Sequence, residues 1–373
     1  MHRILYITNV LSPYRADFFS EWGRYCNLTV IATQDSVKSR DKKWKPTEFD
    51  NYQYIPLHAR PFRHDDTSLS FKLIKYLLHH GKAFDFIIFG VYTDPTEILG
   101  ILLCQMKGYS YLISDDGGFY TPNMLEIKRW LLKKSIAYLT TSQLAKNTLE
   151  QIGAPSNKIT IYPFSSIRSN QISSPENRTN EQSLYRKKFN LPDKKMILCV
   201  GQFIHRKGID VLLKSLNDTD FSDVDIYIVG GSPTEEYKFI VKERNLKNIH
   251  FCAFMLPDEL DAYYKAADCF VLPTREDVWG LVINEAMARG LPVITTDRCL
   301  AGQEMVKDGL NGYLVPVEDE VSLREAMLKI MHDDELRKQM SEESIKVAKK
   351  YTIETMAKAY QKQIENLSDR VIL

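Results

Sequence analysis

The feature that most constrains the fold is a repeated alternation between short β-rich runs and helical patterns. In the first half, the runs RILYITNV, LTVIATQD, FDFIIFGVY and YSYLISDD are separated by helical segments such as PYRADFFSEWGRY and TEILGILLCQMKG. A strand, a helix and a further strand at this spacing are typical of βαβ units, which build parallel sheets. The sequence therefore predicts an α/β fold.

The alternation lapses after Ile161 and restarts at Met196, with the runs KMILCVGQF, VDIYIVGG, CFVLPT, LPVITTD and GYLVPV. The stretch between the two halves is polar and contains Ser, Asn and Pro, as an interdomain connection would. A chain of 373 residues also exceeds what one core usually supports. We expect two doubly wound, Rossmann-like domains, residues 1–165 and 196–351, with 166–195 as a linker region.

The composition favours a globular cytoplasmic protein. The hydrophobic fraction of 44% and the charged fraction of 26% are ordinary. No apolar run reaches the roughly 18 residues of a membrane span, and the start of the chain is typical of a buried strand rather than a secretory signal. Nothing indicates a nucleic-acid partner. The cysteines have no metal-like spacing and are expected to be reduced core residues: Cys26, Cys104, Cys199, Cys252, Cys269 and Cys299.

Charge is distributed unevenly along the chain, although the net charge is only +1. Residues 1–165 carry 20 Lys and Arg against 15 Asp and Glu, and residues 196–373 carry 22 against 30. A basic first half suggests an anionic acceptor or a membrane surface on that side. An accidental distribution of solvated charges is the alternative.

The second half contains a candidate phosphate site directly after its first strand. In GQFIHRKGID, Gly201 and Gln202 leave the strand, and Arg206 and Lys207 precede a helix that begins near Gly208. Ligands of doubly wound sheets bind beyond the carboxyl ends of the strands. Two cations and helix-start N–H groups there would bind a pyrophosphate. Two solvated loop cations are the alternative interpretation.

Two further strand ends extend this predicted donor surface. Gly230 and Gly231 follow the next strand and permit close backbone approach, although an ordinary turn explains them equally well. Phe254 and Met255 follow the strand after that, where backbone groups would read a base edge.

The segment PTREDVWGLVINEAMARG carries one acid on either side of a short apolar run. A helix is expected from near Gly280 to a stop at Gly290, with Asp277 in the preceding loop and Glu285 just over one turn in. Helix-start N–H groups would meet a phosphate, and the acids would accept hydrogen bonds from sugar hydroxyls. The structural alternative is a helix cap and a surface acid. The residues between the acids complete the predicted donor surface: Val278, Trp279, Gly280 and Leu281.

The acid-x7-acid segment resembles the signature of retaining glycosyltransferases of family 4, and VGQFIHRKGIDVLL and GLNGYLVPVEDE resemble further parts of that family. The resemblance covers about Met196 to Lys350. It implies the GT-B fold, with two domains facing across a cleft and a last helix, about 352–373, returning to the first domain. It also implies a sugar-nucleotide donor, with Lys207 on the diphosphate, Glu285 on the ribose and Asp277 on the transferred sugar.

Two positions depart from the family pattern. Asp277 stands where Glu is more common, so neighbouring Glu276 is a second candidate for that contact. Gln202 stands where Arg is common, which leaves Lys207 and Arg206 to neutralise the diphosphate. The resemblance further implies that no metal is required, because cations and a helix start stabilise the leaving group.

The first half contains a candidate acceptor site, again after its strands. In LISDDGGFY, Asp116 would orient a hydroxyl and the glycine pair would let it approach, although a turn without a ligand is the alternative. The candidates are Asp115, Asp116, Gly117 and Gly118, and, after the first strand, Pro13, Tyr14 and Arg15. Arg15 would meet a phosphate, and Asp116 joins Lys207, Asp277 and Glu285 as an expected catalytic residue.

The segment MLEIKRWLLKKSIAYL, from Met124, places four cations beside Trp130, Leu131 and Leu132. A basic amphipathic helix of this kind can lie on an anionic membrane, as suits a lipid-linked acceptor. A packed surface helix is the alternative.

Together these features predict a metal-independent retaining glycosyltransferase that uses a nucleoside-diphosphate sugar, with UDP as the first choice of nucleotide. The expected acceptor is a glycan or lipid-linked glycan of bacterial surface polysaccharide synthesis, reached from the cytoplasm at the inner face of the membrane. A sugar-nucleotide epimerase of the same fold and a catalytically weak donor-binding partner are the alternatives.

Overall fold

The computed structural model describes residues 1–35, 49–62, 64–118, 125–217 and 219–371. The chain divides into two compact units. The first consists of Met1–Ser166 together with Thr352–Leu373, and the second consists of Ile167–Tyr351.

The first unit is built on a parallel sheet of seven strands, in the order β3-β2-β1-β6-β7-β8-β9. A separate antiparallel pair, β4 and β5, follows β3. The strands are β1 Arg3–Val10, β2 Asn27–Gln34, β3 Tyr52–Pro56, β4 Pro61–Phe62, β5 His64–Ser68, β6 Phe86–Phe89, β7 Tyr111–Asp115, β8 Ala137–Thr140 and β9 Ile159–Ile161. The sheet order reverses between β1 and β6.

The strands of the first unit alternate with helices α1 Pro13–Trp22, α2 Lys72–His80, α3 Pro95–Lys107, α4 Leu125–Leu132 and α5 Gln143–Ile152. Local sequence explains their ends. Asp94 caps α3 by accepting from the N–H groups of Thr96 and Glu97, and Gly108 ends it in the left-handed conformation. Buried side chains of α2 to α5 share one core with the strands.

The second unit is built on a parallel sheet of six strands, in the order β12-β11-β10-β13-β14-β15. The strands are β10 Lys195–Val200, β11 Val224–Val229, β12 Ile249–Cys252, β13 Cys269–Leu272, β14 Val293–Thr296 and β15 Gly312–Val315. The helices are α6 Arg178–Lys188, α7 Ile209–Ser215, α8 Glu235–Glu243, α9 Pro257–Ala266, α10 Leu281–Ala288, α11 Leu300–Met305, α12 Glu320–His332 and α13 Asp334–Ala348. Here the order reverses between β10 and β13.

The polar segment 166–195, interpreted from sequence as a linker region, contains helix α6, which packs on α9 within the second unit. Its contacts are polar. Arg178 donates to the carbonyls of Lys265 and Ala267, and Arg186 pairs with Asp268 at 2.6 Å. The segment therefore stabilises the end of α9 and the start of β13.

The last helix, α14 Ile353–Val371, belongs to the first unit and packs against α1. Tyr360 lies at the centre of this contact, with its ring 4.8 Å from that of Phe18 and 5.1 Å from that of Trp22. Its hydroxyl is 2.7 Å from the Ser114 hydroxyl on β7. Aromatic packing and one buried hydrogen bond therefore tie the end of the chain to the first sheet.

None of the helices in the described ranges is both long enough and apolar enough to cross a membrane. The cysteines are all free thiols, and all but the half-buried Cys252 are buried.

Candidate functional site

The predicted donor residues converge where the strand order of the second sheet reverses. Loops 201–208 and 273–280 leave the carboxyl ends of β10 and β13, which are neighbours at this point, and such a reversal opens a crevice. The loops are hydrogen-bonded to each other. The Arg275 N–H and the Thr274 hydroxyl both donate to the Arg206 carbonyl, at 2.8 and 3.0 Å.

Two glycines allow this arrangement. Gly208 has a φ of 67°, and a Cβ there would overlap the carbonyl oxygen of Pro273 in the other loop. Gly280 has a φ of 100°, and a Cβ there would lie 2.9 Å from the Cys299 sulfur. Both positions combine a left-handed backbone with close packing. A larger residue at position 208 would push the two loops apart, and one at position 280 would push its loop away from Cys299.

Lys207 and Asp277, one from each loop, form an ion pair at the centre of the site. Each side chain is only 12% exposed. Arg206 lies nearby, more exposed, with its Nη1 3.4 Å from the Asp277 carboxylate and 2.7 Å from the Glu276 carbonyl oxygen. The site thus presents two cations around one buried carboxylate, an arrangement that attracts an anion.

Glu276, the second candidate for the acid next to the sugar, has a different partner. Its carboxylate accepts from Arg298 at 2.7 Å and is nearly half exposed. Asp277, in contrast, forms its ion pair with Lys207. The structure therefore places the shorter acid, and not its neighbour, beside the cations of the predicted donor site.

Helix α10 begins directly after this pair, at Leu281, with Gly280 as a cap residue that offers no side chain. The first N–H groups of a helix have no partner within it, and they carry a partial positive charge. Glu285 is half-buried on the helix and accepts from the Tyr264 hydroxyl at 3.0 Å. Burial and the Glu285 charge hold the pKa of Tyr264 well above its ordinary value, so this hydroxyl stays protonated.

The structure corrects the predicted donor surface at Trp279. This side chain is buried, and its indole N–H donates to the Asn284 side chain at 2.8 Å. Its carbonyl oxygen accepts from the Ala301 N–H at 2.9 Å. Trp279 therefore holds α10 against its own unit, while neighbouring Val278 is exposed.

The remaining predicted donor residues lie at the same edge of the sheet. Gly201 and Gly230 approach so closely that a Cβ on Gly230 would overlap the Gly201 carbonyl. This close packing is a structural reason for the first glycine of the Gly230–Gly231 pair. Gly231 is half-buried, with Phe203 beside it. The others are mostly open to solvent, namely exposed Gln202 and Phe254 and half-buried Met255.

Arg275 is a residue that sequence reasoning missed. Its guanidinium binds both Asp210 carboxylate oxygens, at 2.8 and 2.7 Å, and donates to the His205 carbonyl at 2.6 Å. These bonds to Asp210 raise the pKa of Arg275. Although burial alone would raise the pKa of Asp210, Arg275 holds it below its ordinary value. The pair fixes the two donor loops, but no sequence pattern distinguishes it from surface charges.

Arg15 requires a second correction. It was expected to meet a phosphate, but it is buried, pairs with Asp116 and donates to the Tyr6 hydroxyl at 3.0 Å. Asp116 also accepts from the Tyr162 hydroxyl at 3.1 Å. Both side chains are therefore occupied within the first unit, where they join α1 to the end of β7 and to Tyr162, just after β9.

Asp115 is the more available of the two adjacent acids. It ends β7 half-buried, and burial, with Asp116 adding, raises its pKa to about 6. The glycines after it, Gly117 and Gly118, have φ values of 100° and 148°, and a Cβ on Gly118 would meet nothing within 4 Å. The other predicted acceptor residues, Pro13 and Tyr14, are half-buried at the start of α1.

Glu97 is a second residue that sequence reasoning missed. It lies in the first turn of α3, after β6, where the first sheet reverses its order. The side chain is buried and accepts from the Val91 N–H at 2.9 Å, which holds the loop after β6. Burial, with Asp94 adding, raises its pKa well above the ordinary value. An acid in a first helical turn is so common that the sequence carries no signal for this.

The family described as glycosyl transferases group 1 matches residues 181–347, which include both donor loops. The glycosyltransferase MJ1178 of Methanocaldococcus jannaschii is 31% identical over 86% of this chain and 88% of its own. A 41.2 kDa protein of the Klebsiella pneumoniae cps region is 30% identical over 54% of this chain and 53% of its own.

Solved structures share the fold at low sequence identity. Sucrose-phosphate synthase from Thermosynechococcus elongatus superposes with a TM-score of 0.77 and 18% identity, over 99% of each chain. Anabaena HepE, solved in complex with UDP-glucose, gives 0.72 and 14%, over 99% of this chain and 100% of its own. The two parallel-sheet units match the GT-B architecture of such enzymes. On the sequence match to MJ1178 and the family match across the donor loops, the chain belongs to the glycosyl transferases group 1 family.

Proposed function

We propose that this enzyme transfers a sugar, with retention of configuration, from a nucleoside-diphosphate sugar held by its second unit. The observation that carries the proposal is the buried Lys207–Asp277 pair, which lies beside the start of α10 at the reversal point of the sheet, where the helix has no side-chain cap. Relatives named as surface-glycan glycosyltransferases, such as CapM of Staphylococcus aureus and WclY of Escherichia coli, support the reaction class.

Each group has a defined part in the proposed reaction. The bond between the anomeric carbon of the sugar and the diphosphate oxygen breaks, and an acceptor hydroxyl oxygen bonds to that carbon on the same face. The hydroxyl proton passes to the leaving phosphate, on which negative charge develops. Lys207, Arg206 and the first N–H groups of α10 stabilise that charge from fixed positions, without a divalent metal. Asp277 holds Lys207 in place and accepts from a hydroxyl of the transferred sugar. Glu285, oriented by Tyr264, accepts from the ribose.

We further propose UDP as the nucleotide and a glycan or lipid-linked glycan as the acceptor, in bacterial surface polysaccharide synthesis. HepE, which shares this fold, was solved in complex with UDP and with UDP-glucose, and this supports UDP as the nucleotide. Such an acceptor places the enzyme on the cytoplasmic side, at the inner face of the membrane. In the first unit, Asp115 takes the acceptor-orienting part that sequence analysis gave to Asp116, because Asp116 is bonded to Arg15 and Tyr162.

The donor proposal is tested by thermal unfolding with UDP, GDP, ADP and their sugars, in the presence of a chelator. A ligand that binds only the folded state at about 100 times its Kd stabilises by about 2.7 kcal/mol. Release of nucleoside diphosphate, with and without acceptor extract, then measures turnover. Release without a new sugar linkage means hydrolysis, a changed sugar without release means epimerisation, and binding alone means a partner without activity.

Lys207→Ala provides the matched test of the site. Loss of a cation that stabilises the leaving group is expected to reduce nucleotide release by about 100-fold or more. Lys238→Ala removes an exposed lysine from α8 of the same unit and is expected to leave release unchanged. Equal turnover of the two variants would show that the donor lies elsewhere.

A further inference from the structure

The outer surface of the first unit carries an unusual group of exposed large apolar side chains. They lie on three successive helices, at the start and end of α2, at the end of α3 and along α4. Their exposed fractions are 70% for Phe71, 49% for Leu78, 76% for Met106, 47% for Ile127 and 54% for Trp130. We refer to these five residues and the cations around them as the three-helix surface.

The three helices share one face of the first sheet. Helices α3 and α4 connect the neighbouring strands β6, β7 and β8, and right-handed crossovers place both helices on the same side of the sheet. Helix α2 packs against α3. Leu77 of α2, Cys104 of α3 and Leu131 of α4 are buried in one core beneath them. Gln105 of α3 also donates to the Leu131 carbonyl at 3.3 Å. The sides of the helices opposite this core therefore form one continuous outer surface.

Charge on this surface has almost a single sign. Residues 69–82, 105–110 and 125–134 contain one acid, Glu126, which pairs with Arg129 at 2.8 Å. The cations in these ranges are Lys72, Lys75, Lys82, Lys107, Lys128, Arg129, Lys133 and Lys134. On α2 the exposed residues Phe71, Lys75 and Leu78 follow one another along a single stripe, so apolar and cationic groups alternate.

The structure also changes which residues of α4 face outward. Leu131 and Leu132, expected from sequence to form its membrane face, are buried in the core. Ile127 and Trp130, three residues apart, are exposed instead. Helix α4 alone therefore offers only a narrow apolar stripe, and any extended contact requires α2 and α3 as well.

We propose that the three-helix surface docks on an anionic lipid bilayer. Lysines around exposed aromatic and aliphatic side chains complement the surface of an anionic bilayer. There the cations meet lipid phosphates, and the apolar groups enter the headgroup region. An acidic protein would match the charge of this surface, but it would need an apolar group opposite each exposed apolar side chain. A bilayer offers apolar contacts over the whole surface. The inference deepens the proposed function, and rests on its lipid-linked form, because the acceptor would lie in the bilayer that this surface contacts.

Vesicle co-sedimentation tests the proposal with the full chain. We expect it to pellet with phosphatidylglycerol-containing vesicles at low salt, to be released at high salt, and not to pellet with phosphatidylcholine vesicles. Phe71→Ser combined with Trp130→Ser tests the apolar part, and Lys133→Ser combined with Lys134→Ser tests the charge. Each pair is expected to weaken binding by about tenfold or more.

Phe239→Ser is the matched control, since Phe239 is 64% exposed on α8 of the second unit. It is expected to bind vesicles like the unaltered chain. Circular dichroism of every variant verifies folding. The proposal is overturned if the unaltered chain stays in the supernatant with anionic vesicles. It is equally overturned if the Phe71 and Trp130 variant pellets normally. It is also overturned if light scattering shows that the unaltered chain is a dimer and that this variant is a monomer.

Nucleotide-induced thermal shifts of the same variants keep the two proposals separate. If the shift by UDP persists while vesicle binding is absent, only the docking surface is wrong. If vesicles bind while every nucleotide fails to shift the unfolding temperature, only the donor site is wrong.

Discussion

At the scale of single residues, Gly208 shows why the two donor loops can meet. Gly208→Ala is expected to destabilise the chain by more than about 2 kcal/mol, because its Cβ would overlap the Pro273 carbonyl and its φ is left-handed. Gly108→Ala is the matched control, since Gly108 has nearly the same φ, 69°, but open space around it. Its expected cost is about 1 kcal/mol. Thermal and urea unfolding would measure both, and equal losses would contradict the packing argument.

Asp115 gives the second prediction at this scale. Its pKa is raised to about 6 by burial, so the folded chain holds this proton more tightly than the unfolded chain does. Stability from this group is therefore present at low pH and is lost as the pH rises through about 6. Asp115→Asn removes the buried charge and should raise the unfolding temperature at pH 8, while the difference disappears near pH 4. A gain that is independent of pH would show that burial is not the cause.

At this scale the sequence predicted where some residues lie and not where others do, for physical reasons. Lys207, Asp277 and Glu285 come after strands in the sequence, and this pattern predicts that they lie at the edge of the sheet. Burial is not visible in such a pattern. Arg15 was taken for an open cation, although it is bonded to Tyr6 and Asp116, because its counter-charge Asp116 is 101 residues away in the chain. The role of Arg275 was missed for the same reason.

At the scale of elements, α6 stabilises the second unit through polar contacts. Asp268, at the start of β13, accepts from Arg186 at 2.6 Å and from the Met196 N–H at 2.7 Å, with little exposure. Asp268→Asn is expected to cost about 3 kcal/mol, because it leaves the half-buried Arg186 without its counter-charge. The added change Arg186→Met should recover part of that loss in a double-mutant cycle of urea unfolding. Additive losses would mean that the pair is not coupled.

Strands β1, β2, β6 and β7, the strands of the second unit and most helices were predictable because their apolar patterns are strong. Strands β3, β4, β5, β8 and β9 were not predicted. Helix α6 was not, because RTNEQSLYRKK has no buried residue and no apolar stripe. Its contacts use guanidinium and amide groups that satisfy carbonyls at the end of α9, and such contacts leave no mark in hydrophobic periodicity. A polar segment between two domains therefore reads as a linker even when it is packed.

At the scale of the whole molecule, the division into two compact units predicts that the chain does not unfold in one step. Each unit has its own buried cluster, so calorimetry should show more than one transition. A nucleotide bound to the second unit should shift only one of them, and Lys207→Ala should abolish that shift. A single unfolding transition whose midpoint temperature rises with added nucleotide would contradict this separation.

The last helix of the chain completes the first unit, and this has a consequence for biosynthesis. A ribosome releases α14 only after every residue of the second unit has been made. Until then Trp22 and Phe18 lack the Tyr360 ring that covers them, and a largely finished protein still exposes part of its earliest core. The first-made half is thus the last to mature, and a chaperone that shields α1 during translation would protect the chain at its most vulnerable stage.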